Sequence, residues 1–166
     1  MNQLFQCNRR DERSVKPIRD LEGLRFVLAG LLLLVFVSTA CEKTPVKPVS
    51  IGSNDVCFYC KSPIDEKQIA FAAEFITKDG FVRKFDDIGC LIANARKVGK
   101  KNIVAFYAMD YDSKMLLPAE QVQFIRSDKI RTPKNGGIVA FQSAPRAQQV
   151  AAQFQAEMAK FDDIVK

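Results

Sequence analysis

The chain runs through one strand–cap–helix passage twice, about 56 residues apart, and this constrains its fold more than any other feature. Phe85-Asp86-Asp87 and Phe141-Gln142-Ser143 each close an apolar run and open a helical one. Asp87 and Ser143 stand where a side-chain oxygen accepts the free N–H groups of a first helical turn. Overlaying the two passages sets Gly80 on Gly136 and Val82 on Ile138. Ahead of the first cap, residues 69–77 read as a strand, Lys78-Asp79-Gly80 as a turn and residues 81–85 as the returning strand. Ile88, Leu91, Ile92 and Ala95 then share one face of a helix ending near Gly99, and residues 102–109 form a third strand. In the second half, residues 122–125 and 136–141 read as strands, the first preceded by a short turn or helix from Pro118. A helix follows from Ser143, with Pro145 tolerated in its first turn, and is expected to reach about Ala159. The expected fold is α+β, two small ββα(β) units over about residues 68–110 and 113–160.

The N-terminus leaves a limited length for that fold. Arg9, Arg10, Arg13, Lys16, Arg19 and Arg25 precede an uncharged apolar run, residues 26–37, and the small residues Ser38-Thr39-Ala40 lead into Cys41. A basic region, a short apolar region and small residues before a cut describe a secretory signal. The run of about 12 residues is shorter than the roughly 20 a spanning helix needs. Residues 1–40 are therefore expected to be removed, leaving Cys41 as the first residue, lipidated on its thiol and amine. Residues 41–55 hold Pro45, Pro48 and Gly52 without apolar periodicity, and are expected to form an extended, mobile tether ahead of the domain over residues 56–166. The localisation this implies is the cell envelope, on the extracytoplasmic (periplasmic) side of a membrane.

Charge and composition exclude several functions. The net charge is +6, of which residues 1–40 carry +2, and no dense Lys/Arg cluster interleaves with aromatics, so nucleic acid is not an expected partner. The chain has no His, which removes Ser/His and Cys/His catalysis and every His-bearing metal site.

Sulfur is the remaining chemistry. Besides Cys7 and Cys41, the chain has Cys57, Cys60 and Cys90, an odd number for an exported disulfide framework. Cys57-Phe58-Tyr59-Cys60 places two thiols at i and i+3, a spacing that serves one metal ion or a tight disulfide. With Asp87 as cap, Cys90 is the third residue of its helix, where the helix dipole favours thiolate while Asp86 and Asp87 oppose it. It equally suits a small buried apolar position. Three thiols without a fourth Cys or a His lean toward Cu(I) or dithiol redox work, away from structural zinc or an iron–sulfur cluster. Met109 and Met115 read as core filler ahead of ligands.

Residues 57–154 resemble the NosL family, the accessory lipoproteins of nitrous-oxide reductase to which copper delivery is ascribed. The resemblance lies in Asp55-Val56-Cys57 with Cys60, in Lys78-Asp79-Gly80, in Lys84-Phe85-Asp86-Asp87-Ile88-Gly89-Cys90, in Met109-Asp110-Tyr111, and in Thr132-Pro133 leading into Gly137-Ile138-Val139-Ala140-Phe141. Val37-Ser38-Thr39-Ala40-Cys41 is similar to a lipobox. The resemblance implies a duplicated α+β fold related to organomercurial lyase, no enzymatic activity, and Cu(I) held by Cys57 and Cys60, with Cys90 as a third thiolate. It further implies delivery to an exported cuproenzyme such as nitrous-oxide reductase. Two departures stand out. Where the family commonly has Cys-Gly-Met this chain has Cys60-Lys61-Ser62, and where it has Thr-Pro-Met-Gly this chain has Thr132-Pro133-Lys134-Asn135, so both methionines are replaced. Two other readings stay open: a thiol–disulfide oxidoreductase in which Thr132-Pro133 carries a cis proline, and a lipoprotein with a structural Cys57–Cys60 disulfide.

Overall fold

The two halves repeat one topology. In the computed structural model, which describes residues 46–165, the first half runs β1 (Ala73–Thr77), β2 (Val82–Phe85), α1 (Ile88–Val98), β3 (Ile103–Met109) and β4 (Leu116–Pro118). The second runs β5 (Gln123–Arg126), β6 (Ile138–Phe141), α2 (Ala144–Phe154) and β7 (Glu157–Ala159), with a last short helix α3 (Phe161–Ile164). The strand orders are β2-β1-β3-β4 and β6-β5-β7, all antiparallel. In each half the first strand is central, flanked by its hairpin partner and by the strand that returns after the helix. The expected duplicated α+β fold is the observed one.

Local chemistry explains the elements. Gly80 takes φ 84° in the β1–β2 turn, a conformation that costs glycine least. Asp87 accepts a hydrogen bond from the Gly89 N–H and starts α1, and Gly99 ends it. Ser143 caps α2, with Pro145 in its first turn. All of β1 and all of β6 are buried. Phe75, Phe85, Ile88, Leu91 and Phe124 join the two sheets and α1 in one core, where Phe75 packs on Phe85 at 5.2 Å. Ile125, Val139, Phe141, Ala147 and Val150 form a second core under α2. Each such fully buried side chain contributes about 1.5–3 kcal/mol.

Several boundaries differ from expectation. Residues 69–77 are not one strand. Glu66–Phe71 is a 3-10 helix capped by Asp65, whose carboxylate accepts the Lys67 N–H at 2.9 Å, and the strand begins only at Ala73. The second helix stops at Phe154, short of Ala159, because Gln155 turns left-handed (φ 50°) and residues 157–159 pair with β5. Helix-favouring residues continue through this stretch, so tertiary pairing overrides propensity. The strands β4 and β7 and the helix α3 carry no periodic signal of their own.

The expected export signal, residues 1–40, and Cys41 lie outside the described residues. The described part of the expected tether, residues 46–55, ends in a turn closed between Gly52 and Asp55 and is hydrogen-bonded to the first sheet. The Val49 N–H donates to Glu74 Oε1 at 2.8 Å, and Lys84 Nζ donates to the Ser50 carbonyl at 2.7 Å and to both Asp55 carboxylate oxygens at 2.9 Å. The Tyr107 hydroxyl donates to the Val46 carbonyl. Burial pushes the Glu74 carboxyl above the usual carboxylate range.

Asp87 also joins the halves. Its Oδ2 accepts the Thr132 hydroxyl at 2.6 Å and the Lys134 N–H at 2.8 Å, both from the β5–β6 loop. A Cβ on Gly136 would lie 2.4 Å from Asp87 Oδ1, so only glycine lets this loop close on the cap. Asp87→Ala removes the cap and strands the buried Thr132 hydroxyl and the part-buried Lys134 N–H. We predict a loss of about 3 kcal/mol in urea unfolding, against about 1 kcal/mol for Thr132→Val.

Candidate metal centre

The thiol pair sits in a tight loop. The Cys57 N–H donates to the Ser62 carbonyl at 2.9 Å, the Lys61 N–H donates to the Cys57 carbonyl at 3.0 Å, and Lys61 takes φ 64° to close the turn. Val56 bridges to Pro63 at the loop's base, and the Phe58 N–H donates to the Lys84 carbonyl at 2.8 Å. This last bond fastens the loop to β2, the strand that ends beside α1. Asp87 fixes the start of α1 and with it Cys90 in the first turn and Asp86 just before the cap.

These constraints converge on one point. The sulfurs of Cys57, Cys60 and Cys90 and a carboxylate oxygen of Asp86 all lie within 4.8 Å of one another. All three cysteines are free thiols. Cys57, Cys90 and Asp86 are buried, while Cys60 is half-buried and forms the mouth. The Cys60 thiol faces both Asp86 oxygens, at 3.4 and 3.5 Å.

The three sequence-predicted thiols are thus brought together, and a fourth donor, Asp86, joins them. In sequence Asp86 stood out only as a nearby charge. Its position four residues before Cys90 was the available signal, since the residue between the strand end and the cap shares one corner with the first helical turn. Met109 is buried at the end of β3 and Met115 is exposed.

Electrostatics separates the thiols. The hydrogen bond from the Cys90 thiol holds Cys57 down to about 6 against the opposing effect of burial. The same bond, then burial and the charges of Cys57, Asp86 and Cys60, push Cys90 far up. The sequence left open which way the helix dipole and the aspartates would resolve at Cys90; the thiolate falls on Cys57 and the proton on Cys90.

The two positions where the resemblance expects methionine also meet. Lys134 Nζ donates to Ser62 Oγ at 2.8 Å and lies 4.0 Å from Asp86 Oδ2. A thioether pair beside the mouth is here a hydroxyl and an ammonium. The Thr132–Pro133 peptide is trans, as are the others among the described residues, so the cis proline of the oxidoreductase alternative is not found.

Three thiols and one carboxylate that could hold a metal ion thus meet on a duplicated α+β scaffold. Compared with solved structures, this fold is similar to that of the copper chaperone NosL from Shewanella denitrificans, with a TM-score of 0.63 and 16% sequence identity over 74% of this chain and 98% of that one. The fold is therefore NosL-like. No protein-family profile and no curated protein matches the sequence.

The shared proton has a measurable consequence. Cys57 is depressed, so its thiolate is present at neutral pH and is lost as pH falls through about 6. Ultraviolet thiolate absorbance of the reduced, metal-free protein is predicted to show one group titrating near pH 6. In Cys90→Ala, which lacks the donor, that midpoint rises toward the ordinary cysteine range.

Proposed function

We propose that this protein binds Cu(I) as cargo through Cys57, Cys60 and Cys90 and releases it to an exported cuproenzyme, nitrous-oxide reductase being the recipient the sequence resemblance favours. The observation that carries the reading is the convergence of three thiol sulfurs within 4.8 Å on a NosL-like fold. Thiolates in a low-coordinate, buried setting suit Cu(I). One thiolate already exists at neutral pH, so metal entry there displaces fewer protons. The half-buried Cys60 would leave a bound ion open on one side, where a partner's ligand can bond to the metal as the Cys60 sulfur leaves it, which supports ligand-exchange transfer.

In this reading the protein is a metallochaperone, not an enzyme. Cys41 bears a lipid that holds it at the extracytoplasmic face of a membrane, and the short segment to Cys57 keeps the site near that surface. A thiol–disulfide oxidoreductase is disfavoured by two features. Cys57 is fully buried, and the loop after Cys60 passes into Pro63 with no helix on the pair. A structural Cys57–Cys60 disulfide would remove two of the three converging thiols.

Asp86 supports a second reading. Three thiolates and a carboxylate make four donors, enough for tetrahedral Zn(II). Competition of the reduced protein against chromophoric Cu(I) and Zn(II) chelators separates the two. Cu(I) is predicted to bind at one equivalent and Cys57→Ser/Cys60→Ser to abolish uptake. Asp86→Asn is predicted to leave Cu(I) affinity within about threefold, because a hard oxygen adds little to a soft ion. Lys134→Met, which replaces an ammonium beside the mouth with a thioether, is predicted to tighten Cu(I) by about tenfold or more. Zn(II) binding tighter than Cu(I) under reducing conditions, lost in Asp86→Asn, contradicts the copper reading.

A further inference from the structure

The second core borders an open cleft. A cavity of about 430 Å³ opens beside α2 over the face of β6. That exceeds the voids of a close-packed interior and falls in the size range of small-molecule pockets. It shares no residue with the thiol cluster.

Its lining has two chemistries. The half-buried rings of Phe71, Tyr111 and Phe154 make an aromatic wall, backed by the buried Phe141 and Val139, with Val150 at the floor. The wall is held in place by ring packing: Phe71 on Tyr111 at 5.7 Å and Tyr111 on Phe141 at 5.5 Å. The charged groups of the lining are Lys129, Arg131 and Arg146, and all three are cations. Arg146 shares its charge with Asp112 at 3.1 Å, and Lys129 Nζ donates to the neutral Gln155. Arg131 is exposed and has no ion pair among the described residues.

An apolar body fits the wall, and an acidic head matches the positive rim. We propose that this cavity binds an amphiphilic organic monoanion, with its apolar body against the aromatic wall and its acidic head between Arg131 and Arg146. A cationic amphiphile of the same length meets repulsion at the rim. A neutral one gains the floor but leaves the rim unmatched.

Anilinonaphthalene sulfonate, an aromatic body with one anionic head, is a suitable probe. Titrated into the full domain, it is expected to bind saturably at one site with enhanced fluorescence. Decanoate is expected to displace it at least about tenfold better than decanol or decyltrimethylammonium. Arg131→Glu, on the exposed rim, is expected to weaken both anions by about tenfold, and Val150→Trp, which fills the floor, to abolish binding. Far-ultraviolet circular dichroism and unchanged metal uptake at the thiol cluster report that each variant is folded. No saturable binding, equal displacement by the cationic amphiphile, or binding unchanged in Arg131→Glu overturns the proposal.

Discussion

One buried carboxylate sets the geometry on which the rest depends. Asp87 caps α1 through the Gly89 N–H and at the same time receives the Thr132 hydroxyl and the Lys134 N–H from the opposite half. Were the cap to serve only its own helix, this corner of the two ββαβ units would rest on apolar contacts, which are non-directional. The three hydrogen bonds fix direction. They orient the first turn of α1, aim Cys90 at the loop carrying Cys57 and Cys60, and bring Lys134 to the mouth beside Asp86. A reciprocal tie runs the other way, where Asp110 at the end of β3 accepts the Gln142 N–H at 2.7 Å. Both ties sit at strand–helix corners that the duplication makes equivalent, and only the first corner carries thiols.

Much of the fold was legible because its signals are local. Caps at Asp87 and Ser143, a Gly80 turn and a 3.6-residue apolar stripe on α1 each follow from nearest-neighbour chemistry, and the repeat doubled their weight. The missed elements draw on distant partners. Residues 157–159 form a strand only because β5 offers an edge, and Gln155 must leave the helix to let them reach it. Residues 69–71 read as strand because Ile-Ala-Phe suits either state, and the Asp65 cap decided for a 3-10 turn.

The site was legible in its sulfurs but not in its oxygen. Cysteine spacing and count mark Cys57, Cys60 and Cys90 directly, whereas an aspartate before an aspartate cap looks like surface charge. Burial of Asp86 against the thiols is a tertiary fact. The same holds for the division of the proton between Cys57 and Cys90, which turns on a single thiol–thiol hydrogen bond. The replacement of both family methionines gains a physical sense as well, since Ser62 and Lys134 touch each other and stand together at one rim of the site.

The central claim is that the three thiols jointly hold a soft metal ion. X-ray absorption at the copper edge, recorded on protein loaded with one equivalent of Cu(I), tests it most directly. The account predicts a shell of sulfur neighbours that loses one scatterer in Cys90→Ser. A shell dominated by nitrogen or oxygen, or one unchanged by that substitution, would contradict it.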